Sequence, residues 1–454
     1  MSTIIALILA GLAVFVLWVV IRDALRMEVE IFSIRNFFLL GFIIFQLTSG
    51  TSCLLSNDFG DLWPTNLVGT AAVYTILICL FLWIFLTSYR KGWWVARKFG
   101  RRGATVESGA ASQIVLAVLL LLTGVLFKLV LGQVPIIGPL AGQTSAGMLA
   151  AAAALGGWAW APRLFNANLA AAALGILGGA VILLFMEAFG RRELLGVLLA
   201  FGWGLYYGFW RQVGPSFAIK RLAIIGSAVV LFMAVFTAAR TGSERDRSIG
   251  ETIAAMRHVA PTDLYYAVIG LFSGQYAAAN SMWTIEAYPE SYDYDTLHTL
   301  VYYVTMPYPR VFWENKPNSF GREMVQQGML TQVGANLSLG PGIIGHIVAD
   351  NPWIAMPLYA ILLGLVMRAI DERVAWNLDD PYIVIPAGAA LAQVLGLARG
   401  ELGLFLFNAT TAMIGAWVFM RLFAYVMGNA GWLVRHPAPS LEDEAYAYPA
   451  EDGV

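Results

Sequence analysis

Residues 3–21 read TIIALILAGLAVFVLWVVI, an unbroken apolar stretch that ends before the charged pair Arg22-Asp23. A helix of ~20 apolar residues is long enough to cross the hydrocarbon core of a bilayer. The stretch is too long for the central region of a secretory signal peptide, and no small-residue cleavage site precedes Arg22. It therefore predicts a first transmembrane helix.

The composition of the whole chain agrees with this reading. Of the 454 residues, 59% are hydrophobic and 13% are charged. A soluble chain of this length could not hide so much apolar surface in one core, so its solvent must be lipid. The net charge of −1 gives no reason to expect a nucleic-acid partner. We predict an all-α polytopic membrane protein with about eleven transmembrane helices, at 3–21, 36–55, 67–89, 112–132, 144–161, 168–188, 194–210, 217–238, 352–370, 382–398 and 402–426.

Basic residues in the connections predict the orientation, since cytoplasmic loops are enriched in Lys and Arg. Alternate loops are basic, while the loops at 56–64 and 132–143 have no basic residue, and Arg191-Arg192 is the exception. The segment 239–351 and the turn at 399–401 then lie outside the cytoplasm. We divide the chain into an N-terminal bundle of about eight helices at 1–238, an extracytoplasmic region of short helices with catalytic motifs at 239–351, C-terminal transmembrane helices at 352–430 and a disordered cytoplasmic tail at 431–454.

The run at 264–283, LYYAVIGLFSGQYAAANSMW, is apolar but carries Gln275 and Asn280. We read it as a re-entrant or interfacial helix rather than a span. The two cysteines, Cys53 and Cys79, lie in or near apolar runs and are interpreted as buried thiols.

The predicted extracytoplasmic face collects most of the polar chemistry of the chain. The stretch 306–324, MPYPRVFWENKPNSFGREM, places charged and aromatic side chains between prolines that stiffen the backbone. Arginine binds phosphate through a planar fork, and aromatic rings stack on sugars or anchor at the membrane interface. The candidates for ligand binding are Arg240, Arg245, Arg247, Trp313, Lys316 and Arg322, and those for catalysis are Arg310, His346, Arg399 and Glu401.

Each feature also has a simpler interpretation. Arg399 and Glu401 can be interfacial anchors, and the cluster at 240–247 can bind anionic lipid headgroups. Asp293-Tyr-Asp295 has the D-x-D pattern that holds a divalent metal in some glycosyltransferases, but this pattern is common by chance. A lone histidine such as His346 is more often a hydrogen-bonded structural residue than a base.

The stretch MPYPRVFWENKP at 306–317 resembles the P-R-x-x-W-x-x-K-P signature of Wzy-type oligosaccharide repeat-unit polymerases. Further similar stretches follow in the family's order, at 338–371 and at 396–415, and the arginine-rich segment at 240–247 also fits. The resemblance covers about residues 240–425. One departure concerns a G-E-x-Y segment of the family, where this chain has Gly345-His346-Ile347-Val348. The base implied by the resemblance is then either His346 or Glu401.

The resemblance implies a membrane glycosyltransferase of the GT-C-like class in the bacterial cytoplasmic membrane. Such enzymes transfer a glycan from undecaprenyl diphosphate to the end of another lipid-linked repeat unit. The active site would face the periplasm or cell exterior, and a chain-length regulator is a possible partner. No metal or other cofactor is implied, and Arg310, Arg399 and Arg240, with Lys316, would stabilise the diphosphate leaving group.

Three other functions remain open from the sequence. An O-antigen ligase-like enzyme needs the same donor site and differs only in its acceptor. A polysaccharide transporter or flippase would show repeated halves and ionisable groups near the bilayer centre, and the predicted spans contain only Lys128 and, near an end, Glu187. The third is a non-catalytic assembly subunit that has kept the fold.

Overall fold

The computed structural model describes residues 1–92, 94, 98, 105–134, 136–185, 191–239, 249–272, 276–328 and 338–436. Within this part the chain forms seventeen continuous helices and one antiparallel pair of three-residue strands, β1 (Thr105–Glu107) and β2 (Val434–His436). The helices are α1 (Ser2–Leu25), α2 (Ile34–Ser56), α3 (Leu67–Lys91), α4 (Ala110–Leu129), α5 (Gly138–Trp160), α6 (Ala167–Phe185), α7 (Arg191–Leu205), α8 (Pro215–Ala239), α9 (Ile249–Arg257), α10 (Pro261–Phe272), α11 (Ala277–Ala287), α12 (His298–Thr305), α13 (Phe320–Gln327), α14 (Gly342–Ala349), α15 (Pro352–Ala375), α16 (Pro381–Gly396) and α17 (Leu402–Asn429).

Eight of the described helices are long and apolar enough to cross a membrane, namely α1, α2, α3, α4, α6, α8, α15 and α17. Their outward faces carry large hydrophobic side chains, as expected where the solvent is lipid. The chain is therefore an all-helical integral membrane protein. About eleven spans were predicted, and eight helices of the described residues meet these criteria of length and composition.

The three other predicted runs form helices with different properties. The run at 382–398 becomes α16, a short apolar helix of the structure, and the run at 194–210 becomes α7, which continues as a π-helical segment at Tyr206–Trp210. The run at 144–161 lies in α5, which packs against α4, α6, α7 and α17. The stretch 148–155 of α5 is no more than 3% exposed, so this alanine-rich helix is the centre of the bundle and meets protein on all sides.

The run at 264–283 is not one continuous span. Helix α10 ends at Phe272 and α11 begins at Ala277. Between them, Tyr276 has a left-handed backbone conformation with φ of 62°, which no helix interior accommodates. Of the two cysteines, Cys53 is buried as predicted, whereas Cys79 is exposed on the surface of α3.

One end of the bundle is held together by buried charges. The Asp371 carboxylate near the end of α15 accepts from the backbone N–H groups of Ile34, at 2.7 Å, and Arg35, at 3.2 Å, and so caps the start of α2. The Arg35 guanidinium in turn donates to Asp23 of α1 at 2.9 Å. Each buried charge has a partner, so this end fixes how three spans meet.

The opposite end of α15 is covered by the short helices α11 to α14. Helix α14 packs against α11, and α12 packs against the first turns of α17. The close approach depends on Gly403 of α17, where a Cβ atom would lie 2.9 Å from the carbonyl oxygen of Thr299. The short helices and the turn between α16 and α17 therefore converge at one end of the molecule.

Candidate functional site

His346 lies at the centre of this convergence, on α14, and its side chain is wholly buried. Its Nδ1 atom is 2.8 Å from the hydroxyl oxygen of Thr299 on α12, and its Nε2 atom accepts the backbone N–H of Leu402 at 3.0 Å. Because Nε2 is an acceptor, the proton of the neutral ring sits on Nδ1 and is donated to Thr299. Burial, together with the nearby His298, lowers the pKa of His346 to about 3. The imidazole thus joins three helices as an uncharged group.

The hydrogen-bonded chain continues from Thr299 to Asp350, at the end of α14. One carboxylate oxygen of Asp350 accepts the backbone N–H of Thr299 at 2.9 Å and also the hydroxyl of Tyr359. The other oxygen, Oδ1, is buried and has no hydrogen-bond partner within the described ranges. Burial raises the pKa of Asp350 to about 6, against the lowering effect of its hydroxyl and amide donors. A polar network therefore runs from Leu402 to Tyr359 through the interior of the site.

Glu401 lies directly before α17 and is 5% exposed. Its carboxylate accepts the backbone N–H groups of Phe320 at 3.2 Å and Gly321 at 2.6 Å, and so caps the start of α13. One of its oxygens is 3.6 Å from Nε2 of His346. Burial raises the pKa of Glu401 to about 7, although the two amide donors act in the opposite direction. This places a carboxyl group that exchanges its proton near neutral pH beside the buried histidine.

Arg399 belongs to the same turn and is half-buried. Its guanidinium carbon lies 5.8 Å from the centre of the Phe45 ring on α2. The neighbouring Gln46 side chain donates to the carbonyl oxygen of Ala398 at 2.6 Å. The Tyr74 hydroxyl donates to the amide oxygen of Gln46 at 2.7 Å and so orients it. Helix α2 is π-helical over Ile43–Thr48, a distortion often found at functional sites. The π-helical segment of α2 therefore packs against the loop that contains Arg399.

A further arginine approaches this turn from α7. The guanidinium carbon of Arg192 lies 4.5 Å from the centre of the Phe405 ring, in the first turn of α17. The turn between α16 and α17 packs closely against the same ring. A Cβ atom added at Gly396 or Gly400 would lie only 1.9 Å or 2.1 Å from a ring atom of Phe405. Arg192 was part of the exception to the pattern of basic loops, and the structure places it beside this turn.

Two cationic side chains of the loop at 306–319, Arg310 and Lys316, bind carbonyl oxygens of the same loop. The Arg310 guanidinium donates to the carbonyl oxygens of Lys316 at 3.0 Å and Pro317 at 3.2 Å, and to the side chain of Asn318 at 2.9 Å. Arg310 is otherwise exposed. The arginine therefore closes the loop as well as presenting a positive charge at its surface.

Lys316 has a more enclosed position in this loop. It is 8% exposed, and its ammonium donates to the carbonyl oxygens of Met306 at 3.0 Å and Tyr308 at 2.9 Å. Burial and the charge of Arg310 lower the pKa of Lys316. Trp313 and Arg322 are exposed. Among the predicted binding residues, Lys316 thus has the clearest structural role.

His298 links the loop to the buried network. Its Nε2 atom is 2.9 Å from the carbonyl oxygen of Asn318, and its Nδ1 atom is 2.6 Å from the carboxylate of Asp295. Burial alone would lower the pKa of His298, but Glu323, Asn318 and Asp295 together raise it above its ordinary value. His298 is the first residue of α12, the helix that carries Thr299 into the site. Helix α12 therefore connects the loop at 306–319 to the buried network of His346.

The structure brings together Arg399, Glu401, His346 and, through α12, the loop that contains Arg310 and Lys316. Arg240, Arg245 and Arg247 lie outside the described residues. Sequence reasoning did not select Thr299, Asp350, His298, Gln46 or Arg192. Only Arg192 gave a signal, as a basic residue in a loop predicted to lack them.

No group of three His, Cys, Asp or Glu side chains within the described part of the chain is placed to hold a metal ion. In the D-x-D pattern, Asp295 is engaged by His298 and Asp293 is exposed. No protein-family model, curated protein or solved structure matches the chain. The geometry of the site and the sequence resemblance are therefore what support a function.

Proposed function

We propose that this protein is a membrane glycosyltransferase that polymerises lipid-linked oligosaccharide repeat units. The observation that carries the proposal is the turn between α16 and α17, where Arg399 and Glu401 are two residues apart. The carboxyl group of Glu401 is buried and its pKa is raised to about 7. A group with this pKa can accept a proton from a hydroxyl at neutral pH, and an arginine of the same turn can stabilise a phosphate leaving group.

In the proposed reaction, a hydroxyl oxygen of the acceptor glycan attacks the anomeric carbon of the donor glycan. A new C–O bond forms, and the bond between the anomeric carbon and the diphosphate oxygen breaks. Undecaprenyl diphosphate leaves with the bonding electron pair, and Glu401 takes the proton of the attacking hydroxyl. Arg399 and Arg310 are the cations assigned to the diphosphate, with Lys316 as a further positive charge.

His346 has a different role in this proposal. Both of its ring nitrogens are occupied, and its pKa is lowered to about 3. It therefore acts as a positioning residue for Thr299 and for the backbone of Leu402, next to Glu401, rather than as the proton acceptor. Of the two bases that the sequence left open, the geometry favours Glu401.

The proposal places the site at the extracytoplasmic side of a bacterial cytoplasmic membrane, as the basic residues of the loops predict. The ligand is a lipid-linked oligosaccharide, with Trp313 and Arg322 on the exposed surface available to a glycan. The predicted binding residues Arg240, Arg245 and Arg247 and the chain-length regulator as a partner stay part of the proposal.

The test is the length of the glycan made in cells that lack the chromosomal copy. We would complement with the wild type, Arg399→Ala and Glu401→Gln, with Arg163→Ala as a control at an exposed position away from the site. Losing one fixed contact to the leaving group costs on the order of 3 kcal/mol, or ~10²-fold in rate. We expect single repeat units in the deletion and both site variants, and full ladders with the control, at equal amounts of protein in the membrane.

Two other results would overturn the polymerase. If ladders of normal length form but stay on the carrier lipid, the protein is a ligase with the same donor site. If lipid-linked repeat units accumulate on the cytoplasmic side in the deletion, the protein is a transporter. Normal ladders with both Arg399→Ala and Glu401→Gln would remove this turn from the catalytic centre.

A further inference from the structure

Both ring nitrogens of His298 face an oxygen atom that can only accept a hydrogen bond. Nε2 is 2.9 Å from the carbonyl oxygen of Asn318, and Nδ1 is 2.6 Å from a carboxylate oxygen of Asp295. The Asp295 side chain is 72% exposed, and a hydrated carboxylate has no proton to donate at neutral pH. A neutral imidazole carries one N–H group, whereas the imidazolium carries two. The geometry therefore requires the charged form of His298.

The surroundings of His298 favour this charge. The side chain is 7% exposed, and burial lowers the pKa of His298, but Glu323 on α13, the Asn318 carbonyl and Asp295 act against it, and the net shift is upward from 6.5. The titratable groups that face His298 within the described ranges are Asp295, Tyr302, Glu323, His346, Asp350 and Glu401. Four of these six are carboxyl groups, so His298 is a buried cation with negative charge around it.

On one side, His298 holds the residue that holds Arg310. The carbonyl oxygen of Asn318 faces the imidazole, and the side chain of the same Asn318 accepts from the Arg310 guanidinium at 2.9 Å. We call Asp295, His298 and Asn318 the His298 bridge. The bridge therefore fixes the end of the loop at 306–319 from which Arg310 is positioned.

On the other side, the charge of His298 is felt at Glu401. Burial raises the pKa of Glu401, and His298 acts in the opposite direction. The next residue, Thr299, is the partner of His346, which lies beside Glu401. One imidazolium thus acts both on the loop that contains Arg310 and on the carboxyl group of the turn.

We propose that His298 is a positioning residue that assembles the site only in its charged form. The charged ring binds Asp295 and Asn318 together and so holds the loop at 306–319 against α12. When the ring loses a proton, one of its nitrogens presents a lone pair to an oxygen atom, and that hydrogen bond is lost. This inference rests on the proposed function and deepens it, because it names the group that makes the site sensitive to extracytoplasmic pH.

The direction of the pH dependence follows from the two groups. The folded state holds the His298 proton more tightly than the unfolded chain, so the bridge is complete below about pH 6.5 and is lost as the pH rises through the higher pKa of the folded state. Glu401 accepts a proton only above its own pKa of about 7. For the proposed polymerase, the rate should therefore rise and then fall with pH.

The first measurement is ¹⁵N NMR of the protein in nanodiscs with labelled histidine, which is practical because the chain has 4 histidines. At about pH 6 we expect both ring nitrogens of His298 to be protonated. The loss of its signals in His298→Gln assigns them. A His298 ring that carries a single proton at about pH 6 would overturn the inference.

The second measurement is the rate of proteolytic cleavage in the loop at 306–319. We take the ratio of His298→Gln to wild type, so that the pH dependence of the protease cancels. We expect a ratio of about tenfold or more at about pH 6 that falls towards unity at about pH 9. His258→Gln makes the same change at an exposed histidine after α9 and should be cleaved like wild type.

A third variant separates charge from packing. Asp295→Asn keeps an oxygen acceptor for Nδ1 but removes the negative charge, so the loop should become cleavable at a pH about one unit lower than in wild type. An unmoved transition, or a ratio for His298→Gln that is the same at every pH, would assign His298 a purely structural role. If His298→Gln does not fold, the wild-type NMR and the Asp295→Asn transition decide the question.

The inference and the proposed function can fail separately. Neither measurement involves sugar transfer, so a pH-dependent His298 bridge in a protein that makes no polymer would keep the bridge and reject the polymerase. Polymer made by a protein whose His298 is neutral would keep the polymerase and reject the bridge.

Discussion

Replacing Glu401 by Gln should change how the stability of the protein depends on pH. In the folded state the pKa of Glu401 is raised from its ordinary 4.5 to about 7, because the carboxyl group is buried. Between these values the folded protein binds a proton that the unfolded chain has released. The unfolded state then binds fewer protons, so this group's contribution to stability is complete below pH ~4.5 and is lost as the pH rises through ~7.

The size of the effect follows from the same two values. A tenfold difference in proton affinity corresponds to ~1.4 kcal/mol, so the full contribution of Glu401 is about 3.5 kcal/mol, of which about 2.5 kcal/mol is lost between about pH 5 and about pH 8. Asp350 and His346 also titrate with shifted pKa values. The quantity to measure is therefore the difference between wild type and Glu401→Gln, in which the other groups cancel.

The assay is reversible unfolding in mixed detergent micelles, followed by tryptophan fluorescence at several pH values. We expect the free energy of unfolding of the wild type, relative to Glu401→Gln, to fall by about 2.5 kcal/mol from about pH 5 to about pH 8. The exposed Glu314 provides the control, and Glu314→Gln should show no such trend. A difference that is constant within about 0.5 kcal/mol over this range would refute the burial argument and, with it, Glu401 as a base of neutral pKa.

Three further predictions concern the elements around the turn. Thr299→Val removes the hydroxyl that accepts from His346, and we expect a loss of about 1–3 kcal/mol in unfolding free energy. For the proposed polymerase, we also expect shorter glycans at unchanged protein level. Gly41→Ala places a Cβ atom 2.0 Å from the carbonyl oxygen of Leu395, so the thermal midpoint should fall by several degrees. Arg310→Ala frees the loop at 306–319, and limited proteolysis should cut there faster than in wild type.

Each of these has a matched comparison. Thr299→Ser keeps the hydroxyl and should behave like wild type, and equal losses for Ser and Val would assign the effect to packing. Gly11→Ala meets no atom of the described residues within 4 Å, so a loss as large as that at Gly41 would contradict the contact argument. Arg322→Ala removes an exposed arginine near the same loop, and faster cleavage there too would show that charge alone sets the rate.

The spans could be predicted because the hydrocarbon core requires long apolar runs, and eight of those runs became long apolar helices. The exceptions have a physical cause. Helix α5 contains the run Ala150 to Ala154, which is apolar enough to resemble a span, but small side chains also allow other helices to approach closely on every side. Hydropathy does not distinguish contact with lipid from contact with protein, so it could not predict that α5 is surrounded by other helices.

The site was predicted only in its location along the chain. Charged residues of one loop and one turn were selected, and the structure places Glu401 beside His346. The roles could not be predicted, because Arg310 and Lys316 bind carbonyl oxygens of their own loop, and these bonds exist only once the loop is folded. Thr299 reaches His346 across 47 positions of sequence, and no local pattern indicates such a contact.

The short helix α16 determines how deep the site lies. It ends at Gly396, and the turn that follows is bound by Gln46, ten residues before the end of α2 at Ser56. At 1.5 Å per residue, the turn is ~15 Å below the end of that helix. The turn thus lies inside the bundle, beneath the short helices, rather than at its rim. For the proposed enzyme, the diphosphate and the glycan must therefore reach inward from the end of the bundle to meet Arg399 and Glu401.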